Sequence, residues 1–285
     1  MTGVESPEYV PGHGLLKGRT AVVTAAAGAG IGGATARRFL EEGARVLISD
    51  AHARRLKEYE AELAGEFEGV SALACDVTDE AQVQALFDAA VRQHGRLDIV
   101  VNNAGLGGTS DLVDMSDEQW SKVLDVTLNG TFRCTRAALR AFREGGHGGG
   151  HEARRGGGHE GRRGGGHEGR RGGVIVNNAS VVGWRAQAGQ AHYAAAKAGV
   201  MALTRCAAIE AAEHGVRVNA VSPSLAMHPH LVKVTSPELL EELTEREAFG
   251  RYAEPWEVAN VIVFLASDYS SYMTGEAVSV SSQHA

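Results

Sequence analysis

Two residues spaced like neighbours on a helix could together move a proton at an alcohol or a ketone. Tyr193 and Lys197 are four residues apart in a stretch with helical periodicity, so their side chains lie on one face. A nearby ammonium favours the phenolate, which predicts that Lys197 lowers the pKa of Tyr193. Tyr193 would then serve as a general acid or base.

A hydroxyl precedes this pair in the chain. Ser180 ends the run VIVNNAS, which is predicted to be a strand with its carboxyl end at the crevice where ligands of α/β sheets bind. There the hydroxyl can donate to a substrate carbonyl oxygen. A serine at a strand end can also simply cap a turn, and the sequence leaves both interpretations open.

A glycine-rich turn, TAAAGAGIG at residues 24–32, follows the first predicted strand and opens a helix. Gly28, Gly30 and Gly32 let the backbone approach a pyrophosphate, and the helix beginning near Ile31 offers amide hydrogens and a partial positive charge. Such turns are common, but the position after the first strand favours a dinucleotide site.

Asp50 ends the second predicted strand. A carboxylate there accepts hydrogen bonds from both hydroxyls of an adenosine ribose and repels a 2′-phosphate, which favours NAD over NADP. Arg54 and Arg55 weaken this preference if their helix turns inward. The alternative is that Asp50 is the N-cap of the next helix.

The elements that must position these residues alternate between short β-branched runs and longer helical stretches, which predicts a parallel sheet with crossover helices. The predicted strands are residues 20–24, 45–49, 70–74, 98–101, 174–178, 216–221 and 277–280. The predicted helices include residues 32–42, 80–94, 118–142 and 190–214. The fold class is therefore α/β, a doubly wound, seven-stranded, Rossmann-type single domain.

The predicted NAD-binding domain spans residues 15–285 and follows a flexible N-terminal extension at residues 1–14. Residues 148–171 form three eight-residue units, GGGHEARR, GGGHEGRR and GGGHEGRR. Because they hold no apolar side chains, they are predicted to be a disordered surface insertion. Their spacing fixes no coordination geometry for His151, His159 and His167, so no metal site is predicted, although a metal or partner tether is the alternative.

Composition excludes several classes of protein. With 285 residues and 44% hydrophobic content, the chain can bury one large core. The net charge of −7 argues against a nucleic-acid partner. No apolar stretch is long enough for a membrane helix, and no secretion signal is apparent, so a cytoplasmic protein is expected. Three cysteines without metal or disulfide spacing are expected to be reduced.

Taken jointly, several motifs resemble the short-chain dehydrogenase/reductase family from Leu15 onward, outside the repeats. They are the glycine-rich turn, CDVT at 75–78, NNAG at 102–105, a serine thirteen residues before YxxxK, RVNAVSP at 217–223 and FLASDYSSYMTGE at 264–276. The resemblance implies that Tyr193 is the catalytic acid/base and that Ser180 orients the substrate oxygen. Lys197 is implied to bind the nicotinamide ribose while lowering the tyrosine pKa.

The same resemblance implies further cofactor contacts and an assembly. Asp76 and Val77 are expected near the adenine, and Asn103, Ala104 and Gly105 beside the adenosine ribose. A homotetramer is implied, with the helices at 118–142 and 190–214 forming a four-helix contact.

The chain departs from the family pattern at four places. The first glycine of the turn is an alanine, with one extra residue. The helix asparagine that holds a relay water falls at Thr127, with Asn129 two residues later. Ser224 replaces the glycine after Pro223, and SSQ at 281–283 replaces the common DGG.

The two loops that usually wall the substrate suggest a bulky, partly apolar molecule; they carry Trp184, Met227, His228, His230 and Leu231. The amino-acid sequence is similar to those of actinobacterial members linked to steroid-ring degradation, whose substrates can be coenzyme A thioesters. The expected activity is NAD-dependent interconversion of a secondary alcohol and a ketone. A 3-oxoacyl-thioester reductase and a non-catalytic NAD-binding sensor or scaffold are the alternatives.

Overall fold

The computed structural model describes residues 5–145, 172–228, 231–232 and 235–282. Its seven strands form one sheet in which every pair of neighbours is parallel, in the order β3-β2-β1-β4-β5-β6-β7. The strands are β1 (Thr20–Val23), β2 (Arg45–Asp50), β3 (Val70–Ala74), β4 (Ile99–Asn102), β5 (Val174–Asn178), β6 (Arg217–Pro223) and β7 (Ala277–Val280). The predicted doubly wound, seven-stranded α/β fold is confirmed.

Helices cover both faces of this sheet. In the described residues they are α1 (Ile31–Glu41), α2 (Ala53–Ala64), α3 (Glu80–His94), α4 (Asp117–Leu124), α5 (Gly130–Glu144), α6 (Ala191–Ala212), α7 (Pro237–Glu245) and α8 (Pro255–Ala266). One core cluster joins α1 and α8 to the sheet, and a second joins α3, α5 and α6 to the other face. Both faces are therefore dry, which explains why β1 and β4 are buried at every position.

The predicted single helix at residues 118–142 differs in the structure. A π-helical turn at Asp125–Asn129 separates α4 from α5. The hydroxyl of Thr127, within this turn, accepts a hydrogen bond from the Leu106 amide and donates one to the Leu106 carbonyl. Apolar periodicity cannot reveal such a bulge, because the residues around it keep nearly the same buried face.

The strand order reverses between β1 and β4, and this reversal places the functional residues. In an open α/β sheet the crevice outside the carboxyl ends of the strands lies at this switch point. The glycine-rich turn follows β1, Asn103 follows β4, and Ser180 follows the next strand, β5.

The ends of the predicted domain are only partly covered by the described residues. The insertion predicted at residues 148–171 and His230 lie outside them. Residues 5–14 contain no helix or strand, but the Tyr9 hydroxyl donates to Glu41 at 2.7 Å and the Tyr9 ring packs edge-on against Trp256. The flexibility expected of residues 1–14 stays a prediction.

Two searches of the described residues bear on function. None of the helices found there is long and apolar enough to cross a membrane. In that same part of the chain no three histidine, cysteine or acidic side chains are grouped closely enough to hold a metal ion.

Candidate active site

The glycine-rich turn after β1 is closed on one side and open on the other. A Cβ atom at Gly33 would lie 1.6 Å from the Gly28 carbonyl oxygen, and one at Gly32 would lie 2.4 Å from the Ala25 carbonyl oxygen. At Gly28 and Gly30 a Cβ would meet nothing within 4 Å. The packed glycines let α1 begin tight against the turn, and the open side leaves room for a pyrophosphate at the helix N-terminus.

Ala25 stands where the family has its first glycine, and the backbone keeps the conformation that glycine favours. Its φ is +50°, in the left-handed region. An alanine there costs about 1 kcal/mol relative to glycine, an amount that the surrounding packing can offset. Ala25 therefore adopts a left-handed backbone conformation that glycine adopts more readily.

Asn103 holds this turn to β4. Its side-chain amide donates to the carbonyl oxygens of Thr24 at 3.2 Å and Ala25 at 3.0 Å, and its side-chain oxygen accepts from the Asn178 amide at 2.8 Å. The Thr24 hydroxyl accepts from the backbone amides of Asn103 and Ala104. Three strand ends, those of β1, β4 and β5, are thereby joined by hydrogen bonds at the crevice.

Asp50 lies at the end of β2 with its side chain only 12% exposed. Its carboxylate accepts from the backbone amides of His52 at 2.9 Å and Ala27 at 3.4 Å, the second of which belongs to the glycine-rich turn. The N-cap of α2 is His52, so the N-cap alternative for Asp50 is wrong. Arg55 approaches Asp50 to 3.9 Å, whereas Arg54 pairs with Glu58.

The residues expected near the adenine follow β3. Asp76 is exposed and its carboxylate accepts from the backbone amide and hydroxyl of Thr78. Val77 is 6% exposed and packs against the start of α5, where a Cβ at Gly130 would lie 2.6 Å from it. This places both residues beyond the carboxyl end of the strand that neighbours β2.

Ser180 and Tyr193, thirteen residues apart in the chain, are brought together, and the Ser180 hydroxyl lies close enough to the phenol to lower its pKa. Ser180 has an extended backbone, with φ −169° and ψ 153°, and its hydroxyl also accepts from the Val182 amide. The serine therefore caps a short turn and faces the phenol at the same time, so the two interpretations of Ser180 are compatible. The hydroxyl oxygens of Ser180 and Tyr193 therefore lie together at the carboxyl end of β5.

Lys197 is buried beside them, with 3% of its surface exposed. Its ammonium donates to the Asn178 carbonyl at 2.6 Å and lies 5.5 Å from the centroid of the Tyr193 ring. A Cβ at Gly105 would lie 3.4 Å from the Lys197 nitrogen, so NNAG passes directly over this side chain. The ammonium thus sits between β5, the loop after β4 and the phenol.

The expected effect of Lys197 on the phenol differs in the structure. Burial raises the pKa of Tyr193 to about 12, and only the hydrogen bond with Ser180 lowers it. Burial also lowers the pKa of Lys197 to about 8. The expectation of a lowered tyrosine pKa is wrong for the protein by itself, because desolvation outweighs a cation whose hydrogen bond goes to Asn178 instead.

The two residues considered for the relay position, Thr127 and Asn129, have different surroundings, and which of them serves a relay stays a prediction. Thr127 is fully buried, and its hydroxyl holds both backbone groups of Leu106, just after NNAG. Asn129 is exposed and bonds to Asp125 at 3.1 Å. Because a threonine side chain is shorter than asparagine, it fixes the loop after β4 by direct hydrogen bonds.

That loop lies against α6, the helix that carries Tyr193 and Lys197. Cβ atoms at Gly107 and Gly108 would stand 3.6 Å from the Tyr193 ring and 3.6 Å from Nε2 of His192 respectively. His192 is buried, which lowers its pKa and favours the neutral imidazole. Of the side chains expected to wall a substrate, Trp184 is 51% exposed, while Met227, His228 and Leu231 are partly buried.

Sequence reasoning missed three residues of this arrangement. Gly33 allows the closest approach in the turn, Thr24 binds two amides of NNAG, and Asn178 joins Asn103 to the carbonyl that holds Lys197. Thr24 and Asn178 are polar residues at the ends of predicted strands, so the rule that ligands bind at carboxyl ends was a usable signal. Gly33 offered no signal beyond one more glycine.

Comparisons with known proteins identify the family of this chain. A family model described as Enoyl-(Acyl carrier protein) reductase matches residues 25–149 and 167–282. The interruption between the two matched ranges falls among the glycine-rich repeats. The chain belongs to the short-chain dehydrogenase/reductase family, and it is an oxidoreductase of the kind that uses a nicotinamide cofactor.

Individual members of the family to which this chain is similar include two reductases and one solved structure. The chain is 60% identical over 280 residues to (5R,7aS)-5-hydroxy-7a-methyl-1-oxo-2,3,5,6,7,7a-hexahydro-1H-indene-carboxyl-CoA reductase of Mycobacterium tuberculosis, covering 98% of each. It is 36% identical to a 3-oxoacyl-(acyl-carrier-protein) reductase of Thermotoga maritima, covering 93% of this chain and 97% of that one. The crystal structure of a short chain dehydrogenase from Mycobacterium smegmatis superposes with a TM-score of 0.81 at 56% identity, covering 99% of each chain.

Proposed function

We propose that this protein interconverts a secondary alcohol and a ketone on a bicyclic, steroid-derived ring carried as a coenzyme A thioester, with NAD as cofactor. The observation that carries the chemistry is the grouping of Ser180, Tyr193 and Lys197 at the carboxyl edge of the sheet, with the Lys197 ammonium 5.5 Å from the centroid of the Tyr193 ring. The substrate class rests on the relative that is 60% identical over 98% of both chains.

In this proposal Ser180 donates to the substrate oxygen and Tyr193 gives a proton to that oxygen or takes one from it. The nicotinamide ring, when bound, supplies or accepts the hydride at the carbinol carbon. Lys197, held by the Asn178 carbonyl, binds the nicotinamide ribose and keeps positive charge within reach of the phenol. Thr127 holds the loop after β4 in place over this site.

The cofactor would lie along the ends of β1 to β4. Gly28, Gly30, Ile31 and Gly32 would hold the pyrophosphate at the start of α1, with Asp50 accepting from the adenosine ribose. Asp76, Val77, Asn103, Ala104 and Gly105 would flank the adenosine half. NAD is favoured because Asp50, half-enclosed by the turn, would meet a 2′-phosphate with like charge.

A 3-oxoacyl-thioester reductase is the second candidate, since one relative of that name is 36% identical. The two candidates differ in the shape of the acyl group and in the nucleotide they use. The higher identity to the indene-carboxyl-CoA reductase favours the ring substrate.

A panel assay tests the proposal. Purified protein is given NADH or NADPH with a bicyclic keto-carboxyl-CoA thioester or a linear 3-oxoacyl-CoA, and nucleotide absorbance is followed. We expect turnover with the ring thioester and NADH to exceed the other three combinations. Higher turnover with the linear thioester and NADPH would establish the second candidate instead.

The residue roles are tested by Tyr193→Phe. We expect kcat to fall about hundredfold to ten-thousandfold, because the proton-transfer group is lost, while the Kd for NADH stays within about twofold. Tyr272→Phe is the matched control, since Tyr272 is fully exposed and lies in the segment before β7. Full activity of Tyr193→Phe would refute the assignment.

The assembly is proposed on two exposed apolar side chains. Phe132 on α5 is 43% exposed and Ile209 on α6 is 80% exposed. Helices α5 and α6 of two protomers would cover these side chains in the four-helix contact of a homotetramer.

A further inference from the structure

The segment after β6, residues 227–250, is attached to the domain through one buried residue. From Met227 to Gly250 every described residue is partly or fully exposed except Glu247, which is 3% exposed. Helix α7, in the middle of this segment, has no buried residue. A carboxylate is an unusual choice for such an anchor, because burying it costs free energy unless its oxygens are hydrogen-bonded.

Both oxygens of Glu247 do find donors. One accepts from the Leu225 backbone amide at 3.3 Å, at the start of the segment, and the other accepts from the Ser282 hydroxyl at 2.8 Å, beyond β7. The Ala248 amide also donates to the Ser282 carbonyl at 2.8 Å. No lysine, arginine or histidine among the described residues forms an ion pair with Glu247, so its burial depends on these neutral donors.

The two departures from the family pattern near the end of the chain meet at this point. Ser224 follows Pro223 and donates its amide to the Val280 carbonyl at 3.1 Å, while Ser282 belongs to the SSQ sequence. Ser224, Glu247 and Ser282 line one cavity of about 150 Å³. Replacing Ser282 by a glycine, as in the common family ending, would leave one oxygen of Glu247 without its donor.

The segment presents apolar surface that nothing in the described chain covers. Val232 is 53% exposed and Phe249 is 51% exposed, and the three leucines of α7 are only partly buried; they are Leu239, Leu240 and Leu243. The segment starts at the carboxyl end of β6, on the same edge of the sheet as Ser180. Exposed apolar surface at the ligand-binding edge of the sheet is suited to an apolar ring system.

We propose that the Glu247 latch, formed by Leu225, Glu247 and Ser282, is a positioning device that presents the substrate-side segment, described at residues 227–228, 231–232 and 235–250, to a bulky ring substrate. This inference rests on the proposed function for its substrate class. The latch touches neither the reacting atoms nor the glycine-rich turn, so it sets the affinity for the substrate and leaves proton transfer and NADH binding unchanged. The tail after β7 thereby contributes to substrate selection.

The test uses Ser282→Ala, Glu247→Ala and the double variant of the full chain. We expect each single variant to raise KM for the ring thioester about fivefold to thirtyfold, with kcat and the Kd for NADH unchanged, since one or two hydrogen bonds to a charged group are lost. The double variant should be no worse than Glu247→Ala, because both substitutions break the same latch. Glu68→Gln, at an exposed position before β3, is the matched control and should leave KM unchanged.

Hydrogen exchange of the α7 amides gives a readout that does not depend on turnover. Faster exchange at residues 237–245 in Ser282→Ala, with unchanged exchange in β1 and β4, supports the latch even if the wild-type protein reduces none of the ring thioesters. A wild-type protein that reduces none of the ring thioesters would count against the proposed function and not against the latch. Unchanged KM and unchanged exchange in Ser282→Ala, or additive effects in the double variant, would overturn the latch.

Discussion

The turn after β1 and the substrate-side segment after β6 lie at the same edge of the sheet, but they are held in different ways. In the turn, glycines at 32 and 33 bring backbone against backbone, and Asn103 and Thr24 add hydrogen bonds from β4. In the segment, one carboxylate reaches into the domain, and the side chains of Val232 and Phe249 stay more than half exposed. Backbone packing specifies one geometry closely, whereas a few polar contacts leave a wall that a ligand must complete.

The difference between the two regions suggests that the turn serves cofactor binding and that the segment after β6 serves substrate selection. The pyrophosphate and the nicotinamide are common to NAD and NADP, so a rigid cradle at the glycine-rich turn suits either cofactor. Substrates differ between members, and a loosely attached wall can change by substitution without disturbing Ser180, Tyr193 and Lys197. The comparison predicts that changes in the turn damage cofactor binding severely and that similar changes facing the substrate are tolerated.

The largest expected effect comes from adding one methyl group to the turn. Gly33→Ala would place a Cβ atom 1.6 Å from the Gly28 carbonyl oxygen, so the turn and α1 must separate. We expect the Kd for NADH, measured by fluorescence titration, to rise about tenfold to hundredfold, which corresponds to a strain of 1–3 kcal/mol.

Gly108→Ala provides the contrast on the substrate side. Its Cβ would stand 3.6 Å from His192, an ordinary contact, and we expect the Kd for NADH to stay within about twofold. An equal rise in the Kd for NADH in Gly33→Ala and Gly108→Ala would contradict the comparison between the tightly packed turn and the more tolerant substrate side.

A smaller effect is expected from Lys197→Met. The variant should be more stable than the wild type although it loses activity. Burial lowers the pKa of Lys197 to about 8 from its ordinary 10.5, so the folded protein at pH 7 bears the cost of a buried ammonium. After allowing for the lost hydrogen bond to Asn178, we expect the variant without cofactor to be about 2 kcal/mol more stable at pH 7. Turnover should be largely lost.

The pH dependence of this stability difference tests whether it is caused by burial of the Lys197 ammonium. Between pH 8 and 10.5 the unfolded chain holds a proton on Lys197 that the folded protein has released, so the wild-type stability rises with pH relative to Lys197→Met. The advantage of the variant, measured by urea unfolding at pH 7 and pH 9.5, should therefore shrink. A constant difference would show that burial of the charge is not its origin.

The smallest expected effect is a change in nucleotide preference. Asp50→Ala removes the carboxylate that would repel a 2′-phosphate and frees Arg55, now 3.9 Å from Asp50, to bind it. We expect the ratio of kcat/KM for NADPH over NADH to rise about tenfold. Adding Arg55→Ala should cancel the gain, whereas adding Arg54→Ala should not, because Arg54 pairs with Glu58. An unchanged ratio in Asp50→Ala would remove the basis for the NAD assignment.

The sequence was a good guide wherever a signal is local or periodic. All seven strands were located to within about two residues, because buried parallel strands read as short β-branched runs between turns. Tyr193 and Lys197 were paired correctly by the four-residue repeat of a helix. The π-helical turn at Asp125–Asn129 and the bonds of Thr127 to Leu106 were not predictable, since they depend on a loop twenty-one residues away.

The order and type of residues along this chain were enough to determine an α/β sheet with a glycine-rich turn and a phenol and ammonium on one helical face, because these features depend on neighbours in sequence. Tertiary structure alone decided that Ser180 meets Tyr193, that Lys197 bonds to Asn178, and that burial raises the tyrosine pKa. It alone also joined Glu247 to Ser282. Each of these contacts links strands or segments far apart in the chain, and desolvation depends on everything that surrounds a group in space.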